Sequence, residues 1–309
     1  MEEWLSLFNL ESVIKVLLIS GSLVFDLWYI LAGGIILGSV VSVFFPLKSL
    51  TEVCQERHWA KAILGASLLG VISPLGSYAV IPLFSTLIYN RFPLGPLMAF
   101  LITSPLISPI DLFNTWAILG AKMALARVIS ALLIGIGFGT LFHYLSRKGF
   151  SPCPAPGELA KYEGKAMAMA DPFPMGSRWK ALGTLIWKTS KYTTKYFLLA
   201  ILLAGVTNTF IPQDWIVRTL GGSNYSVLLA ASMGLPLYMC GGGAVPLIWQ
   251  LMRMGMDQGA ALAFFIAGPA TRIAPMVTVF LLVRQKAFFL YFIFSFLGAI
   301  LFGFLYRLF

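Results

Sequence analysis

Long apolar blocks separated by short polar connections run the length of the chain, and their lengths predict the elements. A helix that crosses a bilayer needs about 20 apolar residues at about 1.5 Å of rise each. Ser12 to Phe45 is too long for one upright helix and too short for two. It reads as an amphipathic interfacial helix to about Ser22 and a span from about Leu27 to Phe45, ended by Pro46. After a polar segment with Lys48, Glu52, Glu56, Arg57, His58 and Lys61, the block Ala62 to Tyr89 is interrupted by SPLGS at 73–77. Arms of about 12–14 residues are too short to cross, which predicts a re-entrant hairpin with its tip in the membrane. Gly95 to Leu119 reads as a span broken by SPLISP at 104–109, and Met123 to Leu145 as an ordinary span.

The pattern then restarts. Residues 147–178, with SPCPAPGE, scattered charges and DPFPMG, have the composition of a linker. Beyond them come a basic amphipathic run (Arg178 to Lys195), a span from about Tyr196 to Ile211 ending at Pro212, and a polar connection. A broken hairpin (Ser226 to Met254), an interrupted span (Gly259 to Leu282) and a final span (Ala287 to Tyr306) complete the chain. Setting Gly76–Pro105 against Cys240–Pro269, a constant shift of 164, gives eight identities in thirty positions. They include Pro82/Pro246, Gly95/Gly259, Ala99/Ala263 and Pro105/Pro269, so prolines and glycines fall on the same breaks in both halves. Pro46 faces Pro212 at a shift of 166. The organisation expected is a first membrane repeat over 1–146, a cytoplasmic linker over 147–178 and a second repeat over 179–309.

Composition agrees. Of 309 residues only 11% are charged and 59% are apolar, against about 25% and 45–50% in soluble domains. This shortage of polar surface excludes a soluble globule, a disordered chain and a secreted disulfide scaffold. The net charge of +10 reads as topology rather than nucleic-acid binding, because nine of the 22 basic residues fall between Arg147 and Lys195. Placing that linker inside puts 15 basic residues inside and about five outside, with both termini outside. Three spans per half make the second half enter upside down. The fold class expected is therefore an all-α polytopic membrane protein of two inverted-topology repeats, each with three spans and one re-entrant helical hairpin, plus interfacial helices. The start, MEEWLSLF, has acidic flanks, so no cleavable signal peptide is expected. Cys54, Cys153 and Cys240 are odd in number and far apart, so neither a disulfide framework nor a metal site is expected.

Helix breaks in a bilayer survive only where protein buries them or water and substrate reach them, and inverted repeats with discontinuous helices are a transporter signature. The candidate substrate-binding residues are accordingly those of the four breaks. They are Gly76, Ser77 and Tyr78 at the first tip, Ser104, Pro105 and Asp111 at the first broken span, Cys240, Gly241, Gly242 and Gly243 at the second tip, and Gly268, Pro269, Thr271 and Arg272 at the second broken span. Half-helix N-termini and Arg272 favour an anionic or lone-pair-rich ligand, while Asp111 offers cation or proton affinity. The bland alternatives are close helix packing by the three glycines and a structural ion pair between Asp111 and Arg272. Asp26 and Arg127, placed near predicted span ends, read as snorkelling side chains. No cofactor is expected, and no nucleic-acid partner.

The stretches SPLGSYAVIPLFSTLIYNRFPLGPLMAFLITSPLISP and CGGGAVPLIWQLMRMGMDQGAALAFFIAGPATRIAP resemble the bacterial predicted-permease family that includes exporters of trivalent methylated arsenicals. The resemblance runs through nearly the whole chain outside the linker. It implies a multi-pass permease of the bacterial inner membrane; an enzyme is not expected because Asp26 and Asp111 are the only carboxylates in or at the edge of the full spans. Many members carry a Cys-Ser-Cys-type first motif, and here those positions read Gly76, Ser77 and Tyr78. Thiolates are the natural ligands of soft arsenic(III) and copper(I), and Cys240 alone cannot supply a two- or three-sulfur site. The expected function is a secondary permease exporting a small solute by alternating access: an organoarsenical, an oxyanion or other small anion, or a soft metal species. Its partners are that solute and the lipid bilayer, with a homodimer as an allowed assembly. A channel, or a membrane subunit of a larger transport complex, is the rival reading.

Overall fold

The computed structural model describes residues 10–44, 58–72, 93–148, 178–210, 213–223, 225–237, 241–270 and 285–308, and their regular structure is helical throughout. Before residue 149 come α1 (Leu10–Phe44), α2 (Trp59–Ile72), α3 (Leu94–Leu106), α4 (Pro109–Leu119) and α5 (Ala121–Arg147). After it come α6 (Arg178–Phe210), α7 (Gln213–Leu220), α8 (Ser226–Leu237), α9 (Gly241–Arg253), α10 (Gln258–Ala270) and α11 (Gln285–Tyr306). The apolar stretches Ile14–Leu37, Ala121–Arg147 and Ala287–Tyr306 are each long enough to cross a bilayer, and α3 with α4 passes the same test as a pair bent by 43°. The chain is a multi-pass membrane protein.

The ordinary spans and the first broken span lie where the hydropathy pattern puts them. The interfacial segments are not separate helices but run on into the spans that follow them. Leu10–Phe44 is one helix of 35 residues, and Arg178–Phe210 one of 33. Neither contains a proline, and an isolated glycine such as Gly21 costs at most about 1 kcal/mol, which packing readily overrides. One consequence concerns Asp26, which lies in the middle of Ile14–Leu37 rather than near a span end. The polar connection after Phe210 also folds, as the short amphipathic helix α7 with Ile216 and Leu220 buried. Helices α2, α8 and α9 have 14, 12 and 13 residues. At about 1.5 Å per residue they reach about 18–21 Å, short of a hydrocarbon core of about 30 Å. The first hairpin's tip and second arm, Cys240 of the second tip, Pro46 and Pro212 lie outside the described residues.

Two helices form the centre. Every residue from Gly259 to Ala270 of α10 is buried, and so are Gly95–Ser104 of α3. A helix that is apolar all round belongs inside. Around α3 pack α2 and α5, and around α10 pack α8 and α11 in the same arrangement. The two triples meet through α3–α10, α5–α10 and α5–α11. A second layer joins α1 to α6, with α4 against α1, α9 against α6, and α4 touching α9.

Close backbone crossings repeat between the halves. A Cβ on Gly70 would lie 2.9 Å from the Thr103 side chain and 3.3 Å from Ser104 N, and one on Gly234 would lie 3.2 Å from Gly268 N. These positions differ by 164 on both sides of the contact. Bilayers favour small residues at such crossings because helices there gain little from hydrophobic association and associate largely by backbone-close packing. Between the halves α5 and α11 run antiparallel: Ile134 meets Gly298, while the Phe138 and Phe294 rings pack at a tilt, 5.3 Å between centroids. Helices α1 and α6 do likewise, with Ser20 Oγ donating to the Ile201 carbonyl at 3.5 Å and Gly205 lying beside Val16.

Candidate functional site

The break between α3 and α4 follows from its prolines. Pro105 sits in the last turn of α3, and Pro109 disfavours helical geometry at Ser108. Ile107 (φ −149°, ψ 142°) and Ser108 (φ −127°, ψ 162°) are extended. Ser108 then caps α4, its hydroxyl accepting from Asp111 N at 3.2 Å, and Pro109 occupies the first helical position. Asp111 falls in the first turn of α4, where the helix dipole favours a carboxylate. It is 4% exposed. Among the described residues the ion pair is Arg307 with Asp257 at 2.7 Å, and Asp111 takes part in none.

Arg127 approaches Asp111 through a relay. Its guanidinium donates to Thr115 Oγ1, and Thr115 donates to the Asp111 carbonyl at 2.6 Å. The guanidinium also lies over the Phe265 ring, 4.3 Å from its centroid, so Arg127 of α5 joins α4 to α10 of the other half. At 2% exposure Arg127 does not snorkel. It is enclosed because α4 and α10 both pack on the stretch of α5 that carries it.

Two further side chains have unmet polar groups. Asn114 is fully buried, and neither its amide oxygen nor its nitrogen has a hydrogen-bond partner among the described residues. Ser104 Oγ, at the last turn of α3, is also buried without one. An unsatisfied buried donor or acceptor costs about 1–3 kcal/mol, so such groups mark places where a water or a polar ligand is expected. The room for Asn114 comes from Gly34 of α1, where a Cβ would lie 2.6 Å from its amide oxygen.

Of the residues singled out from the sequence, Ser104, Pro105 and Asp111 therefore lie together at one bent span. Gly268 and Pro269 occupy the equivalent last turn of α10, buried, and Gly241–Gly243 open α9. Gly76, Ser77, Tyr78, Cys240, Thr271 and Arg272 lie outside the described residues. Sequence reasoning missed Asn114 and Thr115 and misread Arg127. A signal was present: Asp111, Asn114 and Thr115 have helical i, i+3, i+4 spacing, a polar stripe in an apolar run.

Among the described residues this is an all-helical, multi-pass membrane protein with one span bent beside buried polar side chains. The chain belongs to the predicted permease family, whose model matches residues 12–308. It is 22% identical to the UPF0718 protein MJ0584 of Methanocaldococcus jannaschii over 87% of each chain. It is 21% identical to the UPF0718 protein YcgR of Bacillus subtilis, over 83% of this chain and 85% of that one. A putative two-component membrane permease complex subunit of Streptococcus mutans is 25% identical over 36% of this chain and 38% of its own. No solved structure matches.

Proposed function

We propose that this chain is a secondary permease of the bacterial inner membrane that exports a small solute by alternating access. The solute is an organoarsenical, an oxyanion or other small anion, or a soft metal species, held at the α3–α4 break, the equivalent break of the other half and the hairpin tip of each half. The observation that carries the reading is the pair of buried polar side chains, Ser104 and Asn114, without hydrogen-bond partners among the described residues beside a bent span. Asp111 and Arg127 add charge of both signs to the same region. The antiparallel pairing of α5 with α11, at positions 164 apart where Ile134 meets Gly298, supports inverted repeats over 1–146 and 179–309. With that inversion, the excess of basic residues in and beside the 147–178 linker favours a cytoplasmic linker and both termini outside.

The test is counterflow in proteoliposomes preloaded with methylarsenite, phosphate or copper(I). Saturable counterflow of one of them, lost in Asp111→Asn and Asn114→Leu, is the expected result. Flux that never saturates makes the chain a channel. No flux with any solute, together with copurification of an unlike membrane protein, favours a subunit role. That second reading is supported by the printed name of the Streptococcus mutans relative.

A further inference from the structure

A half-open cavity of about 650 Å³ lies beside the middle of α1 and shares no lining residue with the α3–α4 break. Ser22 and Asp26, four residues apart and so on one helical face, form part of its α1 wall. Asn208 of α6, Gln213 of α7 and Gln250 and Arg253 of α9 face them. The volume is in the range of small-molecule sites, about 300–1,000 Å³.

Two of these groups are charged and a third is a buried amide. Asp26 sits at the centre of the apolar stretch Ile14–Leu37, where a carboxylate is costly and usually functional. Arg253 lines the same cavity yet forms no ion pair with it among the described residues, and its guanidinium lies over Trp249, 4.9 Å from the ring centroid. Gln250 is 4% exposed and lines the same cavity. An acid and a base that served only stability would close on one another. Here they line one cavity with three amide side chains and form no ion pair among the described residues, an arrangement complementary to a ligand that carries both charges.

We propose that this cavity binds a small water-soluble zwitterion, its cationic group on Asp26 and its anionic group on Arg253, with Gln250 bonding the body between. As a binding site it stands by itself; its part in transport rests on the permease reading. The experiment uses full-length protein in phosphatidylglycerol nanodiscs, titrated with glycine, acetate and methylammonium by calorimetry. Glycine should bind at least about tenfold more tightly than either half-molecule, since a charge-assisted bond contributes about 1.5–3 kcal/mol. Asp26→Asn should abolish that advantage while keeping acetate binding, and Arg253→Gln should keep only methylammonium binding. This switch of preference is something a folding defect cannot produce. Equal affinity for glycine and acetate in the unaltered protein overturns the proposal. So does stabilisation by phosphatidylethanolamine with no response to glycine, which would make the occupant a lipid headgroup. Solute counterflow without any glycine binding removes the cavity and leaves the permease, whereas glycine binding without flux of any solute does the reverse.

Discussion

Gly139 of α5 crosses Gly95 of α3 so closely that a Cβ on Gly139 would lie 2.9 Å from the Gly95 carbonyl oxygen, and Gly303 meets Gly259 at the same 2.9 Å. Each residue of the second pair is 164 positions beyond its counterpart. Ala99 and Ala263 complete the two crossings, 2.7 and 2.9 Å from the same built atoms. The spacing leaves no room for a side chain, so Gly139→Val and Gly303→Val should each destabilise the protein by about 1–3 kcal/mol through overpacking. Gly21→Ala, in open space on α1, should be neutral or stabilising by up to about 1 kcal/mol. Melting curves of the detergent-solubilised variants check both, and equal melting temperatures across the set would count against the crossing.

The Arg127–Thr115 bond gives a second prediction. Thr115→Val keeps the shape and removes both the acceptor for the guanidinium and the donor to the Asp111 carbonyl. The cost should be about 1–3 kcal/mol, because a buried charged donor loses a partner. Arg127→Met with Thr115→Val should cost less than the two single changes summed, as groups in one network couple. Additive losses would mean that the two side chains do not communicate.

Much of this architecture was legible because hydropathy and proline report directly on helix length and helix breaks. SPLISP marks the bend between α3 and α4, and Ala287–Tyr306 matches its span to the residue. Where a long helix enters lipid was not legible, since Leu10–Phe44 has no internal signal separating an interfacial part from a spanning one. Asp26 was misplaced for that reason. Arg127 was misread for another: Phe265, which covers it, is 138 positions away and belongs to the other half. Sequence pattern reports which face of a helix is polar, not which remote helix closes over it.

Ser108 separates a structural role for Asp111 from a transport role. Ser108→Ala removes the cap of α4 and should cost about 1 kcal/mol, leaving the bend in place because Pro109 still enforces it. Asp111→Asn keeps the backbone N–H that Ser108 accepts from, so it should melt close to the unaltered protein while solute counterflow falls by about tenfold or more. If Asp111→Asn transports normally but melts early, the carboxylate is a structural feature of the helix start.

Asn114 supports the sharpest prediction, since stability and transport should move in opposite directions. Its amide is fully buried with neither polar atom bonded among the described residues. Leucine has nearly the same shape and no polar group to leave unsatisfied. Replacing an unpaired buried polar group by an apolar isostere is close to neutral or stabilising, so Asn114→Leu should melt no lower than the unaltered protein, and up to about 2 kcal/mol more stably. If the amide contacts solute or its water in the transport cycle, the same variant should lose counterflow. Gly34→Ala offers an independent route, because its Cβ would lie 2.6 Å from the Asn114 oxygen and push the amide aside. It should depress transport with Asn114 present and change little once Asn114 is leucine. An Asn114→Leu protein that is less stable would mean that the amide has a structural partner, and one that transports as before would mean that it has no role in solute passage.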